Sequence, residues 1–485
     1  MEQVKKEHSH WAMCQECVGS GKKRHKLGNK ARIQYQLACD DFAKTDGSGH
    51  APIRPKGHPY TCPTCNRLGI VPAAQHPMPD AKQYPQVAII GGGIGGVALA
   101  VACLHRGIPF TIYERDQSFN ARSQGYGLTL QQASKAIEAF GIVDLKESII
   151  STRHVVHNTE GKIMGEWGMR KWQHTGTRSA PKRTNIHISR QSLRSELLEQ
   201  LGGHQAVQWG HQLIDFKTGD DNQVELQFNV NGEIKTSKAD VLVGADGIRS
   251  SVRKLLIGEE ASPLRYLGCM VILGICPLAA LKDAHQELLD SATVFQTANG
   301  IDRIYVMPYS SDKVMWQLSF PISEKDAKTL SAKGPEALKE EACRRTLWHN
   351  PVPQIVSATL ASDVTGYPAY DRELLPSHLT ETWGPITLIG DAAHPMSPFK
   401  GQGANQALLD ALVLARSISK GCKPFSEWRT EGIRKTVLTP FETKMLERTA
   451  SKVKDSAEAA KFLHSDIVLM EGNKTRGSFI KSKEA

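Results

Sequence analysis

The chain has 485 residues, a hydrophobic share of 40% and a charged share of 23%. This length predicts two or three domains, and the composition is typical of a globular protein, which argues against a disordered chain. The sequence has no run of about 18 apolar residues and no apolar segment at its start. We therefore expect a cytoplasmic protein with neither a membrane span nor a secretion signal.

The formal net charge of +10 is concentrated in one region. Residues 1–82 contain thirteen Lys or Arg against seven Asp or Glu, and so carry +6 of this charge. We interpret the excess as a solvated basic surface, with a patch for a protein or other acidic partner as the alternative. A nucleic-acid patch in this region is a further alternative, but it is not the expected one.

Two CxxC pairs, Cys14/Cys17 and Cys62/Cys65, stand out among the ten cysteines, and the others are scattered without a disulfide pattern. Four thiolates in this pairing suit one tetrahedral Zn²⁺, and the polar segment between them would need a metal to fold. A redox dithiol pair and unrelated free cysteines are the alternatives. The segments CQECVGSG and CPTCNRLG resemble repeats of the DnaJ-type zinc domain, although only two repeats occur, so the resemblance implies one zinc site.

A Pro-rich stretch, residues 71–86, has almost no apolar periodicity and is predicted to be a linker. The apolar run 87–90 then predicts a buried strand, which is followed by Gly91, Gly93 and Gly96 and a helical segment. A strand, a GxGxxG turn and a helix in this order form a dinucleotide-binding motif, in which the helix N-terminus faces the pyrophosphate.

The next predicted strand covers residues 109–113 and ends at Glu114, where a carboxylate can accept both ribose hydroxyls of an adenosine group. A surface acid is the alternative. Two further apolar strands end in Gly-Asp turns, one at Asp246-Gly247 and one at Gly390-Asp391. An NAD dehydrogenase accounts for the first motif but not for these two.

The ordered motifs resemble the class A flavoprotein monooxygenases, the aromatic-hydroxylase superfamily that includes tetracycline-inactivating enzymes. The resemblance covers residues 86–465 and includes residues 188–194, which look like the family's helix whose arginine approaches FAD. It implies that Asp391 bonds the ribityl chain, and that Asp246 and Gly247 help to bind FAD and the nicotinamide. His394 would fix the loop rather than act in catalysis. Arg122 is either a cofactor contact or a surface arginine.

The positions that the resemblance assigns to FAD lie in the turns after strands and at helix starts. They are Gly91, Gly93, Gly96, Glu114, Arg115, Arg122, Arg190, Asp246, Asp391, Pro398, Gly401, Gly403, Ala404 and Asn405. The last five belong to a loop that would cross the flavin ring and enter a helix, whose free N–H groups can stabilise negative charge on reduced flavin.

The resemblance also implies a reaction. NAD(P)H, a transient co-substrate without a GxGxxG motif of its own, would reduce FAD, and O₂ would form a C4a-hydroperoxide that hydroxylates an aromatic or polyketide-like small molecule. No catalytic side chain is assigned. A related flavoprotein reductase or halogenase is the first alternative, although the halogenase WxWxIP signature is absent. A non-enzymatic protein that uses FAD and zinc to bind a partner is the second.

The predicted fold class is α/β. It combines a Rossmann-like FAD-binding domain, an inserted and mainly antiparallel β substrate domain, C-terminal helices and a small N-terminal zinc-binding module. The predicted divisions are the cysteine-rich zinc module 1–70, the linker 71–86, the first FAD-binding part 87–150, a mixed FAD and substrate region 151–240, the Asp-Gly segment 241–262, the substrate domain 263–380, the Gly-Asp segment with the C-terminal helices 381–465 and the tail 466–485.

Overall fold

The computed structural model describes residues 10–45, 51–121, 126–170, 185–219, 222–281, 287–376, 380–422 and 428–481. The chain divides into two compact units. One runs to Met78 and also takes in the turn His105–Gly107, and the other contains the rest of the chain. We call them the N-terminal module and the flavin unit.

The N-terminal module is built around two short hairpin-like pairings. Its elements are β1 His10–Met13, β2 Lys22–Arg24, α1 Asn29–Lys44, β3 Pro59–Thr61 and β4 Ile70–Ala73. Strand β1 pairs antiparallel with β4, and β2 pairs antiparallel with β3. Strand β4 therefore extends into the segment predicted as a linker, because its backbone bonds with β1.

The flavin unit alternates between strands and helices. Its strands are β5 Val87–Ile90, β6 Phe110–Tyr113, β7 Gly127–Leu130, β8 Ile149–Ser151, β9 Arg153–His157, β10 Ile163–Trp167, β11 Asn185–Ser189, β12 Val207–Gln208, β13 Gln212–Thr218, β14 Val224–Val230, β15 Glu233–Ala239, β16 Val241–Gly244, β17 Arg265–Pro277, β18 Thr293–Ala298, β19 Arg303–Ser310, β20 Lys313–Pro321, β21 Val364–Asp371 and β22 Ile386–Leu388. Its helices are α2 Ile94–Leu104, α3 Arg190–Glu199, α4 Ser251–Ile257, α5 Glu324–Ala332, α6 Pro335–Arg345, α7 Val352–Ala358, α8 Gly403–Gly421, α9 Trp428–Glu431, α10 Thr439–Phe462 and α11 Ser478–Lys481.

A five-stranded sheet positions the predicted cofactor motifs. Its order is β12-β6-β5-β16-β22, and its strands run parallel. The central strands are short and fully buried, as apolar runs between helices should be. Parallel strands end at one edge, so the GxGxxG turn, Glu114, Asp246 and Asp391 all follow strands at that edge.

A seven-stranded sheet in the order β10-β9-β18-β19-β20-β17-β21 forms the second layer of the flavin unit. Its pairings are antiparallel except for β9 with β18. Two smaller three-stranded sheets, β7-β11-β8 and β13-β14-β15, complete the β structure of the described residues. The predicted α/β class with a mainly antiparallel second domain is confirmed.

The helices α2 and α8 pack against each other, and nine of the eleven residues of α2 are buried. The long α10 has 24 residues and lies in the region where C-terminal helices were predicted. None of the helices in the described ranges is long and apolar enough to cross a membrane.

Candidate active site

The three glycines of the turn after β5 have different surroundings. Gly91 has φ +111°, and a Cβ there would lie 2.5 Å from the carbonyl oxygen of Ala245, so the chain itself requires glycine. A Cβ on Gly96 would overlap the carbonyl oxygen of Gly91. A Cβ on Gly93, in contrast, would come within 4 Å of one described atom outside the turn, the Arg190 Nη2 at 3.8 Å. The protein thus leaves space in front of Gly93, at the N-terminus of α2.

Glu114 already holds this turn. Its Oε2 accepts a hydrogen bond from the Gly92 amide at 2.8 Å, and its Oε1 accepts one from the Asp116 amide at 3.0 Å. A carboxylate has further lone pairs that can accept from sugar hydroxyls. The neighbouring Arg115 is exposed. The buried Arg194 on α3 was not among the predicted site residues. Its Nε donates to the Gly92 carbonyl at 2.6 Å and so fixes the turn.

Asp246 uses one of its two carboxylate oxygens within the protein. Its Oδ2 accepts from the amides of Ser251 and Val252, at 2.6 and 3.2 Å, and so caps α4. Its Oδ1 is buried and has no hydrogen-bond partner in the described parts of the chain, and burial raises the pKa of the carboxyl group. The turn therefore contains an acceptor that the protein does not satisfy, beside Gly247 at φ +83°.

The Gly-Asp turn after β22 is held by a buried ion network. His394 Nε2 lies 2.7 Å from Asp410 Oδ2, which also accepts from the Gly390 amide at 2.8 Å. Arg448 forms an ion pair with the other oxygen of Asp410. The His394 side chain is fully buried, so its ring holds the turn in place. Asp391 instead faces the cavity described below, where desolvation within the protein raises the pKa of its carboxyl group.

The loop after this turn leads into α8 through a 3-10 helix, Pro398–Lys400, and Gly401 at φ +58°. The Asn405 side chain makes four hydrogen bonds of 2.8–3.0 Å to the backbone of residues 129–133 and of Gly401. Its amide is therefore used within the protein. The groups that α8 can offer a ligand are therefore its first backbone N–H groups, beginning at Gly403.

One cavity of about 710 Å³ connects these features. The predicted cofactor positions in its wall are Gly93, Arg190, Asp391, Pro398, Gly401, Gly403 and Ala404. The positions outside the wall are Gly91, Gly96, Glu114, Arg115, Asp246 and Asn405. Arg122 lies outside the described residues. The sequence-predicted residues thus divide into those that face the cavity and those that shape the turns around it.

The seven-stranded sheet supplies a second wall, which sequence analysis did not assign. Residues at alternate positions of β18, β19, β20 and β21, together with one residue of β17, line the cavity, in keeping with the alternation of side chains along a strand. These residues are Leu273, Val294, Gln296, Arg303, Tyr305, Met307, Met315, Gln317, Tyr367 and Ala369. The register places Tyr305 opposite Gln317 and Met307 opposite Met315. The alternation was visible in the sequence, but the face that is buried depends on the pairing.

The C-terminal segment forms a third part of the wall. Thr475, Arg476 and Gly477 line the cavity. The Gly472 amide donates to the Met164 carbonyl at 2.9 Å, and the Glu166 amide donates to the Asn473 side chain at 3.0 Å, so the segment follows β10, which is an edge strand. Residues 475–477, which lie within the predicted tail 466–485, therefore belong to the wall of the cavity.

The N-terminal module contains a candidate metal site. The Sγ atoms of Cys14, Cys17, Cys62 and Cys65 all lie within 4.8 Å of one another, and the four residues are buried. The Cys14–Cys62 and Cys17–Cys65 sulfur distances are 4.0 and 3.6 Å. Zn–S bonds of about 2.3 Å in a tetrahedron place the sulfurs about 3.8 Å apart. The four thiols therefore have the spacing of a tetrahedral Zn²⁺ site.

The two CxxC segments have the same local structure. The Gly21 amide points to Cys17 Sγ at 3.2 Å, and the Gly69 amide points to Cys65 Sγ at 3.3 Å. N–H donors favour a charged thiolate over a neutral thiol. Both glycines stand four residues after a cysteine and have positive φ, which places the amide next to the sulfur.

Comparison with known proteins agrees with these motifs. The FAD binding domain family matches residues 84–424. The aurachin C monooxygenase/isomerase of Stigmatella aurantiaca is 31% identical over 338 residues, which are 69% of this chain and 80% of that protein. The 6-hydroxynicotinate 3-monooxygenase of Pseudomonas fluorescens is 26% identical over 352 residues, 70% of this chain and 84% of that protein.

Among solved structures, the tetracycline destructase Tet(51) has a similar fold. The match has a TM-score of 0.56 at 18% identity and covers 83% of this chain and 95% of that one. The family match covers well over half of the chain and includes the glycine turn, the two Asp turns and all of α8. The chain therefore belongs to the FAD-dependent monooxygenases.

Proposed function

We propose that this protein is an NAD(P)H-dependent FAD monooxygenase that uses O₂ to hydroxylate an aromatic or polyketide-like small molecule. The observation that carries the proposal is the single cavity. It connects Gly93, Arg190 and Asp391 with the inner face of the seven-stranded sheet. A cofactor bound at the strand ends would therefore meet a substrate held by the sheet.

Bound FAD would supply the redox chemistry, since it accepts hydride from a nicotinamide and gives electrons to O₂. The open space at Gly93 suits a pyrophosphate, because the N-terminus of α2 supplies free N–H groups there. Glu114 would accept from the adenosine ribose, and Asp391 would accept from the ribityl chain. Arg190, whose guanidinium lies over the Tyr126 ring at 5.8 Å, would pair with the cofactor's negative charge.

The remaining predicted positions would act through backbone N–H groups or by shaping the turns around the cofactor. The N-terminus of α8 at Gly403 and Ala404 would stabilise negative charge on reduced flavin, and Pro398 would stiffen the loop beside it. Asp246 would orient its turn, with its second oxygen left for cofactor or nicotinamide. The apolar wall around Met307 and Met315 would exclude water from the reacting atoms.

We also propose that the four cysteines of the N-terminal module bind one structural Zn²⁺. The sulfur spacing and the two N–H···S contacts support four thiolate ligands with no open position. A closed Cys₄ site does not activate water, so the metal would stabilise the module rather than take part in hydroxylation.

The test begins with the purified protein. It should carry one FAD per chain, lose its yellow colour with NADPH and regain it in air. NADPH oxidation would then be screened against phenols, quinolones, tetracyclines, polyketides and 6-hydroxynicotinate, with ¹⁸O₂ to label the product. A labelled product supports the proposal. Stimulated oxidation that yields only a reduced or chloride-dependent product would assign a reductase or halogenase, and a failure to bind FAD would remove the enzyme assignment.

A further inference from the structure

Two arginines of the cavity wall have no acidic partner among the residues that the structure describes. Arg303, on β19, and Arg476, in the C-terminal segment, are at most 5% exposed, and both line the cavity. Burial lowers the pKa of Arg303 to about 10 and also lowers the pKa of Arg476. Within the described ranges, neither guanidinium forms an ion pair, whereas the adjacent Asp302 is paired with Arg345.

The carboxylates of the wall do not remove this imbalance. The two acids that line the cavity are Asp391 and Asp455. Asp391 interacts electrostatically with Arg190, at the end of the cavity that we assign to FAD. A buried and unpaired charge is strongly unfavourable in a protein interior unless a partner compensates it. Neither Asp391 nor Asp455 forms an ion pair with Arg303 or Arg476 within the described ranges, and burial is the main influence on the pKa of both guanidinium groups, so the wall does not compensate these two positive charges.

The two arginines differ in the donors that they have left. Both terminal nitrogens of Arg476 donate to carbonyl oxygens of its own segment, at Met470 and Gly472, so only its buried Nε is left without a partner in the described residues and no pair of parallel donors remains. Arg303 donates through Nε to Gln296 Oε1 at 2.8 Å, and this bond from the adjacent strand orients the guanidinium. The Nη groups of Arg303 make no side-chain hydrogen bond to the described residues.

We propose that the substrate is an aromatic acid and that the Nη groups of Arg303 bind its carboxylate. The proposal rests on the proposed function and adds the substrate class to it. A guanidinium offers two parallel N–H donors that match the two oxygens of a carboxylate. Gln296 and the Tyr305 ring, whose centroid is 5.2 Å from the guanidinium carbon, hold Arg303 in position. Arg476 contributes positive potential without direct contact.

The experiment compares matched pairs of ligands on the FAD-loaded protein by calorimetry. The probes are 2-hydroxybenzoate and 3-hydroxy-2-naphthoate, each with its uncharged amide. We expect the acids to bind the native protein about tenfold or more tightly than the amides, as a charge-assisted pair should. In Arg303→Gln this preference should fall to about twofold or less, and Arg303→Lys should restore part of it. Arg476→Gln should change it less than Arg303→Gln.

The matched control is Arg344→Gln, an exposed arginine at the end of α6 that should leave the preference unchanged. Equal binding of acids and amides by the native protein, failure of both acids to bind, or an acid preference that survives in Arg303→Gln would overturn the inference. So would loss of FAD from Arg303→Gln, which would assign the arginine to the cofactor. FAD content and NADPH oxidation without ligand are measured separately, so the proposed function can stand where this inference fails.

Discussion

The N-terminal module and the flavin unit are stabilised in different ways. The apolar cluster of the module consists of four cysteines with Val71 against them, and its helix α1 has no buried residue. The flavin unit has a continuous core that spans its five-stranded sheet and the helices α2 and α8. A unit as small as the module buries little apolar surface, so we expect it to depend on the proposed metal, whereas burial stabilises the flavin unit.

The largest expected effect is that of removing one proposed metal ligand from the N-terminal module. We expect Cys62→Ser to lose the zinc and unfold the module, because structural zinc contributes on the order of 10 kcal/mol or more to such a fold. The FAD content should not change. Zinc per chain, from mass spectrometry, and hydrogen exchange over residues 10–78 provide the measurement. Cys39→Ser is the control, since Cys39 lies on α1 outside the cluster.

The same comparison predicts that a chain starting at Lys82 folds, binds FAD and oxidises NADPH, because the flavin motifs all follow this position. An insoluble or FAD-free product would show that the module is part of the catalytic core. Zinc retained by Cys62→Ser would instead rule out the four-thiolate site.

Within the flavin unit, two glycines of one turn should separate cofactor binding from folding. Gly93→Val should purify without FAD, but its apoprotein should melt like the native apoprotein, because the added side chain enters free space. Gly91→Ala should destabilise the apoprotein by about 1–3 kcal/mol or more, since it combines positive φ with a clash. Calorimetry and FAD absorbance measure the two effects. Asp391→Ala should resemble Gly93→Val, and stoichiometric FAD in both variants would refute these assignments.

Acid should weaken the flavin unit through its buried histidines. Burial lowers the pKa of His187 to about 3, against about 6.5 when unfolded, so the folded state keeps it neutral. The contribution of neutral His187 to the free energy of unfolding is complete above pH 6.5. It is lost as the pH falls towards 3, at roughly 1.4 kcal/mol per pH unit. Denaturant unfolding between pH 7 and 4 measures this slope. His187→Gln should flatten it, whereas the exposed His204→Gln should not, and an equal slope in both would contradict the assignment.

The smallest effect concerns the adenosine end of the cofactor. Glu114→Ala should weaken FAD binding by about 1–3 kcal/mol, the range for loss of a charge-assisted acceptor. Glu114→Gln should lose less, because its amide oxygen can still accept from the Gly92 amide. Fluorescence titration of the apoprotein with FAD gives both affinities. If Glu114→Ala binds FAD as tightly as the native protein, Glu114 is only a surface acid.

The sequence by itself determined the family, the fold class and the ends of the cofactor strands. These features depend on local patterns, because a glycine turn between a strand and a helix has its own spacing, and parallel strands always bring their carboxyl ends to one edge. The two CxxC pairs likewise predicted a cluster that the structure brings together within 4.8 Å. Their spacing alone could not decide between a metal and a dithiol.

Only the tertiary structure decided which residues of the seven-stranded sheet line the cavity. The alternation along β19 was visible, but the pairing of seven strands selected the face with Arg303, and a shift of one residue would have buried the other face. The C-terminal wall had no sequence signal, since it depends on hydrogen bonds, one between backbones and one to the Asn473 side chain, that join residues about 300 positions apart. The proposed substrate wall therefore arises from long-range packing, whereas the proposed cofactor positions lie in local turns.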